Sequence, residues 1–439
     1  MEDQVIVRFE AFNEAVQKEQ GRFDELMETK AAEAEPEDEL ERVRLVAAVT
    51  NAMGALAEND NGGTIMSSAQ NGLASRLQSG LADAAAKEGK LREVRPAMEV
   101  LSGLDVVAMA RLLEVRFDSK DWWGWVKTFA PLYLFKPTPA AWLLPPEVPE
   151  ELPEKAALAV FSDWGTGLYG STSITNQIKK LEACDVVFHL GDTYYAGLAS
   201  EITSRLVNLW PLRNGGCRHR ILNGNHEMYS GGAGYFNALK HAPFNQSSSC
   251  VAMQNSKWLL LGLDTSFIDA AIGDDQVGWI GRMIAAAGSR KVVLFSHHQI
   301  FSTFDKIPDG VRAALLPWLR DGRIHAWYFG HEHRLVVFEP CNTLGGVKAR
   351  CMGHGGFPEF RQSLPGAAPS RSQWIQLPGV GDVPAAEIFD GPNRFIHDSP
   401  SDPEKYVPHG FLLLEFDADE MFETFLDPDG APVRGKTRV

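Results

Sequence analysis

Aspartate, asparagine, tyrosine and histidine recur in five short segments with spacing suited to metal ligation. The segments are Asp163-Trp164-Gly165, Gly191-Asp192-Thr193-Tyr194-Tyr195, Gly224-Asn225-His226-Glu227, Ser296-His297-His298 and Gly330-His331-Glu332-His333. Carboxylate, amide, phenol and imidazole are hard or borderline donors, suited to Fe, Zn or Mn rather than to metals that prefer thiolate. Two such ions roughly 3.5–4 Å apart can share a carboxylate, turn water into hydroxide near neutral pH and clamp both oxygens of an in-line displacement at phosphorus. With Asp192 as the shared ligand, Asp163, Tyr195 and His333 would serve one ion and Asn225, His297 and His331 the other. Positions then remain open for water and substrate, as a catalytic site requires.

The elements that must hold these groups are legible beside them. Ala157 to Phe161 precedes Asp163, Val186 to Leu190 precedes Asp192, and Val292 to Phe295 precedes His297. Short apolar runs of this kind are expected of buried strands. Ligands of open α/β sheets lie beyond the carboxyl ends of strands, which is where every segment falls. Gly165, Gly191, Gly224 and Gly330 are expected to make tight turns there.

Together these motifs resemble the calcineurin-like metallophosphoesterase superfamily, and within it the purple acid phosphatase branch. Most of the superfamily opens with Asp-x-His, whereas this chain has Asp163-x-Gly165 and a tyrosine, Tyr195, three residues after Asp192. Loss of the first histidine together with that tyrosine is the purple acid phosphatase pattern. The resemblance covers about residues 156–360 and does not touch the first 120. It implies a four-layered α/β/β/α sandwich, a ferric ion on Asp163, Asp192, Tyr195 and His333, and divalent Fe, Zn or Mn on Asp192, Asn225, His297 and His331. It also implies that His226 contacts the phosphate and donates a proton to the leaving alkoxide, work that suits an imidazole whose ordinary pKa is about 6.5. His298 is expected to stand behind the ligands.

Singly these residues have blander readings. Gly-Asn-His-Glu also occurs in phosphoprotein phosphatases, but there it follows a Gly-Asp-x-Val-Asp-Arg-Gly segment that this chain lacks. Tyr194 reads as a core or rim aromatic, His189 and His325 as core histidines, and His354 as either a substrate-side or an ordinary loop residue. The five cysteines show no Cys-x-x-Cys spacing, which argues against a structural zinc site.

Composition sets the frame. A 439-residue chain with 44% hydrophobic and 23% charged residues is ordinary for a globular protein with room for two domains. No signal-like segment opens the chain and no apolar run of about 18 residues occurs, so a cytoplasmic location without a transmembrane segment is expected. Unpaired cysteines suit that compartment. The net charge of −15 argues against nucleic acid as partner, and residues 1–45 alone carry 14 Asp/Glu against 6 Lys/Arg.

Residues 1–118 read as an all-helical N-terminal domain, with Phe9, Phe12 and Val16, Leu40, Val43 and Val46, and Leu101, Leu104 and Val107 at helical spacing. Its expected use is a protein partner, self-association or a cover for the catalytic domain. Residues 119–155 form a Trp/Pro-rich connecting segment expected to lie extended across the catalytic domain, residues 156–439. Within that domain, helices are expected from Asp275 to Ala287 and from Val311 to Leu319, and a closing hairpin from Gly410 to Leu426. Residues 361–408 read as a long loop insertion on the substrate side. The expectation is a dinuclear hydrolase of small phosphate esters, monoesters first, with in-line attack and no phosphoenzyme. The alternatives are a phosphodiesterase with the same site, and a partner-binding protein with a vestigial one.

Overall fold

The computed structural model describes residues 139–439, except 214, 303–308, 360, 362–375, 378–380, 383, 390, 392 and 394–405. The expected helical domain, and Trp122, Trp123 and Trp125 of the connecting segment, lie outside the described residues.

The apolar runs form strands at the expected places. Chain order is β1 (Glu150–Glu151), β2 (Lys155–Phe161), β3 (Val186–His189), β4 (Arg218–Ile221), β5 (Val251–Gln254), β6 (Trp258–Leu263), β7 (Lys291–Ser296) and β8 (Ile324–Phe329). There follow β9 (Leu335–Phe338), β10 (Lys348–Met352), β11 (Gln376–Leu377), β12 (Gly381–Asp382), β13 (Ala386–Phe389), β14 (Phe411–Asp417), β15 (Glu420–Leu426) and β16 (Pro432–Arg438). One sheet has six strands in the order β16-β15-β14-β2-β3-β4, the other eight in the order β1-β5-β6-β7-β8-β10-β9-β13. The strands that lead to the ligand segments, β2-β3-β4 and β7-β8, run parallel within their sheets.

Alternation along each strand explains the layering, because successive side chains face opposite sides of a sheet. Leu158 and Val160 of β2 join Val293 and Phe295 of β7 in the core between the sheets. Their neighbours Ala159 and Phe161 face Ile174 and Ile178 of helix Tyr169–Lys180. On the far side, Leu294 of β7 and Trp327 of β8 meet Trp279, Ile280 and Leu315 of helices Asp274–Ala287 and Gly310–Arg320. The result is an α/β/β/α sandwich whose central strands are buried on both faces and so carry nearly unbroken apolar sequence.

Three features go beyond the sequence reading. The closing hairpin, β14 and β15, is not peripheral: β14 pairs with β2 in register Leu412↔Val160 and sends Leu412 and Leu414 into the core between the sheets. The connecting segment is stitched on by Ala140 N–H donating to Gly231 O at 2.7 Å and Trp279 Nε1 to Pro146 O at 2.7 Å, with Trp142 against Phe267 and β1 joining β5. The stretch 361–408 contains the pair β11-β12 and the edge strand β13, so it is not loop throughout. β13, Ala-Glu-Ile-Phe, is too short for its alternation to show between Pro, Gly and Asp.

Candidate metal centre

All five segments leave the carboxyl ends of strands and meet at one edge of the sandwich. Asp163 follows β2, Asp192 to Tyr195 follow β3, Asn225 and His226 follow β4, His297 and His298 follow β7, and His331 to His333 follow β8. Backbone bonds fix the segments to one another. Asp163 N–H donates to Gly191 O at 3.0 Å, Tyr194 N–H to Gly165 O at 3.0 Å and Gly330 N–H to His297 O at 3.0 Å. The two sheets are joined at the site itself by His331 N–H donating to Asp163 Oδ2 at 3.0 Å.

The expected turn glycines act mainly by making room. A Cβ at Gly224 would lie 2.2 Å from Asp192 Oδ1, and one at Gly330 would lie 1.9 Å from Ser162 Oγ. Of these four glycines only Gly191 has a left-handed φ, 111°, and Asp163, Asp192 and His331 share that region with φ of 55°, 79° and 71°. Such conformations are costly for residues with a Cβ and concentrate at functional sites.

The side chains gather in two groups that share Asp192. In the first, the Tyr194 hydroxyl lies 2.9 Å from Asp163 Oδ1, 3.1 Å from Asp192 Oδ2 and 3.0 Å from His333 Nε2. In the second, His297 Nε2 lies 3.4 Å from Asp192 Oδ1 and 2.8 Å from Asn225 Oδ1. His331 Nδ1 lies 3.0 Å from the same amide oxygen and 3.3 Å from His297 Nε2. Oδ2 of Asp192 thus faces one group and Oδ1 the other. Ligand atoms of Asp163, Asp192 and His297 all lie within 4.8 Å of one another. His331 is half-buried, as is Tyr229 beside Asn225, so the cluster meets solvent on that side.

The phenol at the centre of the first group is Tyr194, one residue earlier than the sequence reading had it. Tyr195 takes a different place. Its N–H donates to Glu201 Oε1 at 2.6 Å, its carbonyl accepts from His226 Nδ1, and the Arg205 guanidinium carbon stands 5.5 Å from its ring centre. Neighbours in one turn present their side chains in different directions, and these anchors decide which phenol turns inward.

Supporting residues aim the donors. His297 Nδ1–H donates to Leu190 O at 3.2 Å, which leaves the Nε2 lone pair facing the cluster. Glu359 Oε2 lies 3.3 Å from His333 Nδ1. Asn225 Nδ2 donates to Tyr229 Oη at 2.6 Å, so the amide oxygen turns toward the imidazoles. Glu227 accepts from Gly224 N at 2.9 Å and Asp192 N at 3.2 Å, and His298 Nδ1 sits 3.0 Å from Thr265 Oγ1. Glu359 and Tyr229 escaped the sequence reading; one is 26 residues from its histidine, and neither has a motif of its own.

Electrostatics follow from burial. Burial, then repulsion from Asp192, pushes Asp163 up to about 6 despite nearby histidines. For Asp192 burial acts upward too, but His226, His297 and His331 outweigh it and hold the carboxylate well below its usual range. Burial and the two carboxylates keep the Tyr194 phenol well above its ordinary value. His226, tilted 4.4 Å from Tyr194 and edge-on 4.8 Å from Tyr229 between ring centres, is pushed down to about 4 by burial. The donor set fits bound cations: buried carboxylates, an amide oxygen, a phenol and bare imidazole nitrogens converge, a set that hard or borderline ions satisfy.

Of the remaining histidines, His189 packs among Phe161, Trp164 and Trp210, and His325 Nε2 faces Val439 O at 3.4 Å, so both lie in packing. His354 is fully enclosed beside Gly410.

Solved structures with some likeness include a purple acid phosphatase from yellow lupin (Lupinus luteus) seeds, at 18% identity and TM-score 0.46, covering 67% of this chain. This chain spans 54% of the lupin protein. GAP50, the anchor in the inner membrane complex of Plasmodium, gives 12% identity and TM-score 0.45 over 65% of this chain and 88% of that one. PhoD gives 11% identity and TM-score 0.40 over 69% and 74%. No curated protein matches the chain significantly. The calcineurin-like phosphoesterase family matches residues 156–335, the stretch that carries all five ligand segments.

Proposed function

We propose that this chain hydrolyses phosphate monoesters at a dinuclear metal centre of the purple acid phosphatase kind. The observation that carries the reading is Asp192, one carboxylate whose two oxygens face two separate donor groups. Asp163, Asp192, Tyr194 and His333 would hold one ion, ferric iron if the phenol binds it. Asp192, Asn225, His297 and His331 would hold divalent Fe, Zn or Mn. When bound, such ions supply an activated water and stabilise charge on the phosphoryl oxygens.

The protein's own residues then do three things. His297, His333 and Asn225 are held in fixed orientation by Leu190 O, Glu359 and Tyr229. Most of the donors are buried, and the half-buried His331 and Tyr229 mark the side from which an ester would enter. His226 keeps Nδ1–H on Tyr195 O, and its Nε2, 3.7 Å from Asp192 Oδ2, is the atom that would take and return a proton. A phosphate dianion beside it counters the effect of burial and favours the imidazolium that donates to the leaving oxygen. A reducing, cytoplasmic setting belongs to the same proposal; among the described residues no helix is long and apolar enough to cross a membrane.

The test is turnover of p-nitrophenyl phosphate against bis-p-nitrophenyl phosphate by the metal-replete chain, with absorbance spectra of Tyr194→Phe and Tyr195→Phe. Faster monoester turnover and a visible band lost only in Tyr194→Phe are expected. A faster diester would move the chain to phosphodiesterases, and no turnover of either would favour the partner-binding reading. A band lost only in Tyr195→Phe would return the phenol role to that residue.

A further inference from the structure

Two of the five cysteines meet in space although 33 residues separate them. Cys184 stands just before β3 and Cys217 just before β4, with their Sγ atoms 3.9 Å apart. The strands are parallel neighbours in register Val186↔Arg218, and Arg218 N–H donates to Asp185 O at 2.8 Å. Backbones of adjacent strands lie about 4.8 Å apart, within the Cα separation a disulfide spans. A bond of about 2.05 Å needs the sulfurs to close by roughly 1.9 Å.

The surroundings allow that movement and permit access. Both thiols are half-buried, and exposed residues flank them: Glu182 and Ala183 before Cys184, Gly215 and Gly216 before Cys217. Gly215 and Gly216 both have positive φ, 82° and 88°, with nothing within 4 Å of an added Cβ, so the chain leading to Cys217 is unconfined. Arg213 is fixed nearby by donating to the carbonyls of Ile178 at 2.7 Å and Leu181 at 2.6 Å, placing a cation close to Cys184. The other three cysteines are buried; Cys250 Sγ faces Gln276 Oε1 at 3.2 Å and Cys351 Sγ faces Glu332 O at 3.3 Å.

We propose that Cys184 and Cys217 are a redox modification site, a dithiol that peroxide converts to a disulfide stapling β3 to β4 at the end of the sheet opposite the metal centre. Cys184 is the attacking sulfur: the hydrogen bond from Cys217, and further off Arg213, hold its thiol below the ordinary value, while the same pairing pushes Cys217 up. The Cys184 thiolate attacks hydrogen peroxide, an S–O bond forms, the O–O bond breaks and hydroxide leaves, giving a sulfenic acid. Cys217 then attacks that sulfur, the S–O bond breaks, and the hydroxide leaves with the Cys217 proton as water. Two thiols and one peroxide thus give one disulfide and two waters. The closed loop encloses Asp192, Tyr194 and Tyr195, so the staple constrains the segment that carries the shared ligand.

The test treats the reduced full-length chain with hydrogen peroxide, alkylates remaining thiols and maps peptides by mass spectrometry. The expected result is a single cross-link between Cys184 and Cys217, a Tm raised by roughly several degrees, and, in C217S, a dimedone adduct at Cys184. Both C184S and C217S should keep the Tm of the reduced wild-type chain as evidence of folding. Full alkylation of both cysteines after peroxide, or earlier oxidation of Cys250, Cys341 or Cys351, would overturn the proposal. These readouts do not depend on hydrolysis.

Discussion

The six-stranded sheet brings oxygen donors to the candidate metal site and the eight-stranded sheet brings imidazole nitrogens. Asp163, Asp192, Tyr194 and Asn225 all leave β2, β3 and β4, whereas His297, His331 and His333 leave β7 and β8. Neither sheet alone presents a mixed donor set, so the site exists only when the two sheets are packed. The difference teaches where the chemistry is vulnerable: at the one carboxylate both donor groups need, at the contacts that hold sheet to sheet, and at the supports behind each half.

Asp192→Asn attacks the first point and carries the largest expected effect. The amide is uncharged and loses the anion that faces both groups. Turnover of p-nitrophenyl phosphate should fall by at least about 10³-fold, several kcal/mol of transition-state stabilisation. Metal analysis should show fewer than two ions per chain. A variant that keeps both ions and activity within tenfold would remove Asp192 from the shared position.

The second point is a buried lock between the sheets. Glu423 on β15 accepts from Arg350 Nε of β10 at 2.9 Å and from Tyr328 Oη of β8 at 2.6 Å, all three side chains being buried. Glu423→Ala leaves the arginine without its carboxylate and should destabilise by about 3–5 kcal/mol, as removal of one partner of a buried pair does. Urea unfolding measures it. Because none of the three side chains is a candidate ligand, turnover per folded molecule should stay near wild type; a specific loss of kcat without loss of stability would contradict this reading of the interface.

How much of this could be read in the sequence follows from what each residue answers to. Strand ends, and the gathering of the five segments beyond them, were legible because the buried runs before Asp163, Asp192 and His297 are nearly unbroken, and because β-strands deliver their chemistry at one end. The hairpin Phe411–Leu426 was legible as a hairpin, but its insertion beside β2 was not, since that pairing joins residues about 250 apart. The sequence reading put the phenol on Tyr195, whereas the structure turns the Tyr194 hydroxyl toward Asp163, Asp192 and His333; two adjacent tyrosines carry no periodic signal, and the contacts of Glu201 and Arg205 with the turn have none either. Glu359 and Tyr229 act through space and leave no spacing to read.

Those two supports test the third point, one behind each half. Glu359→Gln weakens the acceptor behind His333 and should lower metal affinity by about 10–100-fold, the usual cost of losing a ligand's outer partner. Tyr229→Phe removes the acceptor for the Asn225 amide and should cost less, nearer the lower end of that range, because a neutral hydrogen bond is weaker than one to a carboxylate. Competition with a chelator ranks the two. A reversed order would mean that the oxygen half depends more on its supports than the nitrogen half.

The smallest effect concerns stability on the acid side and belongs to the oxygen-bearing sheet alone. His189, the last residue of β3, lies among the rings of Phe161, Trp164 and Trp210, and burial pushes its imidazole down to about 3. The folded chain therefore holds this histidine neutral over a range in which the unfolded chain, with an ordinary pKa near 6.5, binds a proton. More protons on the unfolded state mean that stability rises with pH, so His189 gives its full support above about 6.5 and loses it as pH falls toward 3. His189→Phe keeps the aromatic packing and removes the proton. At pH 7 the variant should unfold at nearly the same urea concentration as wild type, whereas between pH 6 and 4 the slope of its stability against pH should be shallower by about one proton. An unchanged slope would mean that the pocket around His189 admits the charged ring, and the acid lability would then come from other buried histidines such as His226, pushed down to about 4.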